Sequence, residues 1–152
     1  MELAWPEGLI SLYRARYVPL VRLAILLTGS NDRAEEIVQE AFIRIRNRGD
    51  VADLGSYVRA VVVNRCRDHH RHAGVERRVA LRLARDEAVF DAIDELKDAL
   101  AGLPPRQRAV IVLRYYEGLS EAEIADLLGC RPGTVKSLAH RGLASLRGVL
   151  ER

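Results

Sequence analysis

Apolar residues recur along this chain with the period of an α-helix and nowhere with the strict alternation of a strand. Glu7 to Tyr17 and Leu20 to Thr28 read as two helical segments, bent or broken at Val18-Pro19 and stopped by Gly29. Asp32-x-x-Glu35 predicts a capping box that opens a helix to about Arg48, with Ile37, Ala41 and Ile45 at i, i+4 and i+8. After a loop from Gly49 to Asp53, Asp53 is placed to cap a helix from Leu54 to His72. Its expected core face is Val58, Val61, Val62 and Cys66.

Ala73-Gly74 ends that periodicity, and residues 73–90 form a charged connector. A helical pattern resumes from Asp91 with Ile93, Leu96 and Leu100, and Gly102 stops it. Pro105 opens the next helix at a position where the missing N–H costs little, with Ala109, Val112, Leu113 and Tyr116 facing inward. Ser120-x-x-Glu123 is a second capping box, and Leu119 with Ile124 makes the matching hydrophobic staple. Gly129 closes that helix and Pro132 begins the last. The expectation is an all-α chain of two small helical domains, 1–72 and 91–152, the second a helix-turn-helix domain.

The last helix is the most informative element. At about 100° per residue, Val135, Leu138, Ala139, Gly142, Leu143, Leu146, Val149 and Leu150 share one side. Lys136, Ser137, His140, Arg141, Ala144 and Arg147 share the other, and no Asp or Glu occurs between Cys130 and Leu150. Such a helix can bury one face and lay the other against a polyanion. In a helix-turn-helix, residues near the start of the second helix reach base edges in the major groove. Lys136 and Arg141 suit phosphate or guanine, Ser137 and His140 can read either, and Thr134 suits a phosphate beside the helix start. Arg131 and Arg114 flank this surface as further cations.

Composition and charge narrow the class. The chain has 152 residues, 49% apolar and 5% aromatic, enough for real helical cores. Net charge is only +3, but residues 56–82 hold seven basic and two acidic side chains, and residues 83–102 hold two basic and six acidic. Two basic zones separated by an acidic one imply two polyanion contacts on one chain. The apolar run from Val18 to Leu27 is interrupted by Pro19 and Arg22 and is too short to cross a bilayer. The N-terminal residues lack the basic start of a signal peptide, and cysteine is scarce, so a soluble cytoplasmic protein is expected.

On the helix from Leu54 to His72, Tyr57, Asn64, Asp68 and Arg71 form a narrow stripe. An aromatic can stack on an unpaired base and an amide can bond its edge, with Arg59, Arg65, Arg67, Arg77 and Arg78 supplying phosphate charge. The competing reading packs Tyr57 into the core and lets Asn64 bond locally. Cys66-x-x-His69-His70-x-His72 invites a metal or redox-sensor reading, but no second ligand cluster follows at a suitable spacing. A buried cysteine, solvated or DNA-facing histidines and no metal or cofactor are therefore expected. No nucleophile–base pair or phosphate-cradling glycine loop is visible, so the chain is not expected to be an enzyme.

Taken together, these residues resemble the extracytoplasmic-function (ECF) sigma factors of bacterial RNA polymerase, close to the short actinobacterial type. The opening helices, Tyr13-Arg14-Ala15-Arg16-Tyr17 through Leu27-Thr28-Gly29, resemble the family's first segment. Ala34-Glu35-Glu36-Ile37-Val38-Gln39-Glu40-Ala41-Phe42 resembles its most diagnostic helix, which in the family grips the β′ clamp helices; Glu35, Glu36, Val38, Gln39 and Phe42 are the residues this implies. Tyr57-Val58-Arg59 through Asn64-Arg65-Cys66-Arg67-Asp68 resembles the helix that engages the −10 element. Leu103 through Ser120, Ile124-Ala125 and Gly133-Thr134-Val135-Lys136-Ser137 resemble the domain that reads the −35 element.

The resemblance implies binding to core polymerase, including its β flap, and to duplex and melted promoter DNA, so as to promote transcription initiation. It also implies an anti-sigma partner, through which alone a membrane would be involved, and no small-molecule substrate. The sequence departs from the pattern at Tyr57, where many members have Trp, and in the loop Gly49–Ser56. It departs again at Leu138, a site often basic, and at Arg131, which replaces a small polar cap. The alternative is a dimeric helix-turn-helix regulator that binds a palindromic operator unaided.

Overall fold

The computed structural model describes residues 5–48, 52–72 and 87–150, with side chains described except at 70–72, 87–91, 149 and 150. The described chain is helical: α1 (Glu7–Thr28), α2 (Asn31–Arg48), α3 (Leu54–His72), α4 (Glu87–Ala101), α5 (Pro105–Ile111), a π-helical turn (Val112–Tyr116), α6 (Glu121–Leu128) and α7 (Pro132–Leu150). There is no strand among the described residues. Most of the predicted connector, residues 73–86, lies outside them; α4 starts at Glu87 rather than Asp91 and so takes its end.

α1, α2 and α3 pack on one another around Leu20, Leu23, Ile25, Leu26, Val38, Phe42, Ile45, Val58 and Val62, all almost fully buried. The expected break at Val18-Pro19 does not occur, because α1 runs unbroken through Pro19. Proline removes one backbone hydrogen bond, but from Leu20 to Thr28 every residue except Arg22 is buried, and packing on that scale outweighs the local penalty. Gly29 then ends the helix in the left-handed conformation (φ 76°). The cap of α2 also falls earlier than expected. Ser30 Oγ accepts from the N–H of Arg33 at 3.2 Å, so Asp32 sits inside the first turn and is not the cap.

Asp53 caps α3 as its position suggested, accepting from the N–H of Ser56 at 3.1 Å and from its hydroxyl at 2.9 Å. α3 buries Val58, Val61, Val62 and Cys66, and Val63 as well. Val63 lies where α3 meets α1, α5 and α6, in company with Leu27, Ala109 and Leu128. On α4, Ile93 and Leu100 are buried but Leu96 is 38% exposed; it lies about 60° round the helix from Ile93 and about 40° from Leu100.

α5, α6 and α7 form the helix-turn-helix unit. Its capping box is complete: Ser120 Oγ accepts from the N–H of Glu123 and Glu123 Oε1 accepts from the N–H of Ser120, each at 3.1 Å. Leu119 and Ile124, the staple pair, are both buried. The π-helical turn, closed by Glu117 N–H on Val112 C=O at 3.1 Å, shifts the register after Leu113. Tyr116, expected on the inner face, is consequently 37% exposed, and Tyr115 is 59% exposed.

The two halves touch. α4, α5 and the π-helical turn lie against α1. Arg108 is buried, and its guanidinium donates to Leu100 C=O (3.1 Å), Ala101 C=O (3.3 Å), Leu103 C=O (3.1 Å) and, across the joint, Leu27 C=O (3.3 Å). The carbonyls at the ends of α1 and α4 carry the negative pole of each helix, which suits a cation there.

Candidate nucleic-acid and polymerase interfaces

α7 separates its faces as the pattern predicts. Val135 and Leu138 are buried, Gly142 is packed against Ile111, and Leu143 and Leu146 are partly buried against the core. Arg131, Lys136, Ser137, His140 and Arg141 are exposed, and Thr134 is half-buried at the helix start. Leu138 is buried, as its place on the apolar side of the helix predicts. Arg114 is held at the entrance of the unit: its Nη1 pairs with Glu121 Oε1 at 3.2 Å and its guanidinium lies 5.9 Å from the Tyr115 ring centre.

On α3, Tyr57 is half-buried. Its ring packs on the core at one side, while Arg48 covers it at 5.1 Å from the ring centre and donates to its hydroxyl at 2.7 Å. Asn64 and Asp68 are exposed. Arg65 pairs with Glu40 at 3.8 Å, and Arg59 Nη1 lies 3.7 Å from Glu117 Oε2 of the C-terminal half. Arg67 lines a cleft of about 320 Å³ together with Leu27, Val63, Cys66, Arg106, Ala109 and Leu128. The side chain of Arg71 lies outside the described residues, as do those of His70 and His72. Burial pushes the Cys66 thiol up to about 12, so Cys66 is a core residue and does not present a thiolate.

The residues expected to meet polymerase divide. Val38 is fully buried in the three-helix core, and Phe42, equally buried, comes to the surface only as part of the lining of the groove beside Gln39. Glu36 and Gln39 are exposed and Glu35 is half-buried. Gln39 Nε2 donates to Tyr17 Oη at 3.3 Å, and Glu36 pairs with Arg33 at 2.8 Å. Burial raises the Tyr17 hydroxyl above its ordinary range, against the opposing effect of the Gln39 bond. Beside Gln39 an apolar groove of about 410 Å³ is lined by Trp5, Ile10, Tyr13, Arg14, Phe42 and Ile43. Tyr13 is 37% and Ile43 45% exposed. Sequence reasoning missed both, and it missed Arg48. The available signal was that Ile43 follows Gln39 at i+4 and therefore shares its face.

An all-α chain carrying a helix-turn-helix with an exposed basic helix, packed against a three-helix unit, has the character of a DNA-binding protein. Comparison with known proteins agrees. Residues 12–76 match the family Sigma-70 region 2, and residues 93–146 match Sigma-70, region 4. The RNA polymerase sigma-E factor of Streptomyces avermitilis is 36% identical over 148 residues, covering 91% of this chain and 82% of that protein. The ECF RNA polymerase sigma factor SigL of Mycobacterium tuberculosis is 36% identical over 155 residues, covering 93% of this chain and 88% of that one. Among solved structures, the sigma factor RpoE in complex with the anti-sigma factor NepR from Bartonella quintana superposes with a TM-score of 0.67. It is 24% identical, with 93% of this chain and 97% of that chain covered. The chain belongs to the ECF sigma factors, which direct RNA polymerase to promoters.

Proposed function

We propose that three surfaces divide the work of initiation. The exposed row Lys136, Ser137, His140 and Arg141 on α7, flanked by Arg114, Arg131 and Thr134, reads the −35 element. Tyr57, Arg59, Asn64, Arg65, Arg67, Asp68 and Arg71 on α3 engage the −10 element, with Arg48 as the residue that orients the Tyr57 ring. Glu35, Glu36 and Gln39 on α2, with Tyr13 and Ile43 beside them, meet the polymerase clamp, while Val38 and Phe42 support that edge from beneath. Residues 1–72 and 91–152 would then act as separate modules. The observation that carries this reading is α7, whose buried apolar side fixes an exposed side free of carboxylates.

The chain contributes recognition and no bond-making chemistry of its own, and it works in the cytoplasm with the polymerase. By analogy with RpoE, which is held by NepR, an anti-sigma factor is its expected inhibitor. The test is reconstitution with core polymerase and promoter DNA selected by the holoenzyme. Replacing Lys136 and Arg141 by Ala should cost about 1–3 kcal/mol for each side chain that bonds a base in bidentate fashion, and should lower the salt slope by about one for each that meets a phosphate. Unchanged affinity and slope would remove α7 from the −35 interface.

A further inference from the structure

Two arginines of the N-terminal half converge on one carboxylate of the C-terminal half. Arg16 Nη2 lies 3.2 Å from Glu117 Oε1 and 3.4 Å from its Oε2. Arg59 Nη1 lies 3.7 Å from Oε2. The Glu117 side chain is 7% exposed, whereas those of Arg16 and Arg59 are 36% and 22% exposed. Next along the chain, burial raises the Tyr116 hydroxyl above its ordinary range, against the opposing effect of the nearby Arg22 of α1. Elsewhere along the joint a cleft of about 320 Å³ lies between α1, α3, α5 and α6, and the buried apolar residues of the two halves form one continuous core. The Arg16–Glu117–Arg59 cluster adds a charged contact to that packing.

The closed arrangement conflicts with reading both promoter elements. These lie several helical turns apart, each turn about 34 Å. A folded body of this length has a radius of gyration of about 15 Å. The halves must part, and Arg59, a member of the α3 set, must leave Glu117.

Resting on the sigma-factor reading above, we propose that Arg16 and Arg59 form one anion site, filled by the Glu117 carboxylate in the free chain and by a backbone phosphate of promoter DNA once the halves separate. Glu117 thus acts as an internal substitute for phosphate. Arg16, which no sequence signal marked, becomes a DNA-binding residue.

The two sides of the site have opposite signatures. In the free chain, Glu117→Gln should expand the molecule in small-angle X-ray scattering at low salt. It should also tighten binding of holoenzyme-selected promoter DNA with a melted −10 segment by about 5-fold or more. In assembled holoenzyme the same variant should behave as wild type. Arg16→Gln should also expand the free chain, yet in holoenzyme it should weaken promoter binding and lower the salt slope by about one; Arg16→Lys should restore that slope. A Glu117→Gln chain that is folded, as compact as wild type and no tighter on DNA would overturn the proposal. So would an Arg16→Gln holoenzyme with the wild-type salt slope. If Glu117→Gln does not fold, raising the salt on the wild-type chain replaces it, and an unchanged scattering profile is the contrary result. The scattering arm needs no promoter, so it stands apart from the sigma-factor reading, which fails instead if wild-type holoenzyme selects no DNA.

Discussion

Gln39 and Phe42 sit one turn apart on α2 and do different things. Gln39 is exposed and tethered to Tyr17, whereas Phe42 is fully buried with its ring 5.0 Å from that of Tyr13. Phe42→Ala should therefore cost about 3–5 kcal/mol in chemical denaturation, and any weakening of polymerase binding will follow from that. Ile43→Ala should leave stability nearly unchanged and still weaken the complex with core polymerase. Equal unfolding midpoints for the two variants would contradict this division.

Cys66 gives a pH prediction. Burial raises its thiol from 9.0 to about 12. The unfolded chain releases this proton first, so the folded state binds more protons between those values. Stability should fall as pH rises from about 9 toward 12, and the Cys66→Ala variant should show less of that fall. At the residue scale, sequence patterns revealed which side chains carry charge and which are apolar. They did not separate a partner-facing aromatic from a core one, because Phe42 and Tyr13 meet only across two helices.

At the scale of elements, two of the three glycines of α7, Gly142 and Gly148, have different surroundings. A Cβ on Gly142 would meet Ile111 Cγ1 at 2.9 Å and Cδ1 at 3.2 Å, whereas one on Gly148 would meet nothing within 4 Å. Gly148→Ala should stabilise the chain by about 0.5–1 kcal/mol through helix propensity. Gly142→Ala should give up that gain and destabilise it, since overpacking costs about 1–3 kcal/mol. Thermal unfolding of the two variants checks the opposite signs. Ser120→Ala should cost about 1 kcal/mol by removing the cap of α6.

The elements themselves were largely legible. The Asp53 cap, the Ser120 box, Gly129 and Pro132 act through neighbours in sequence, and the helix-turn-helix followed from them. The failures lie where distant packing decides. α1 continues through Pro19 because α2 and α3 cover the residues after it, and Tyr116 turns outward because of a π-helical turn that leaves no mark on periodicity.

For the whole molecule, charge distribution predicts two basic zones on one chain, and the matches to regions 2 and 4 cover residues 12–76 and 93–146. The joint between halves was not legible. Arg16 and Glu117 are 101 residues apart, and nothing local to either signals the other. On the reading proposed above, the chain keeps its two readers together when free and must separate them on a promoter.

The most direct test of that account uses core polymerase, the wild-type chain and a random DNA library. Holoenzyme should select DNA bearing two recognition segments several helical turns apart, protect both from cleavage and start a transcript downstream, while neither component alone does so. Tight binding of a single palindromic site by the chain without polymerase, or no defined start on selected DNA, would contradict it.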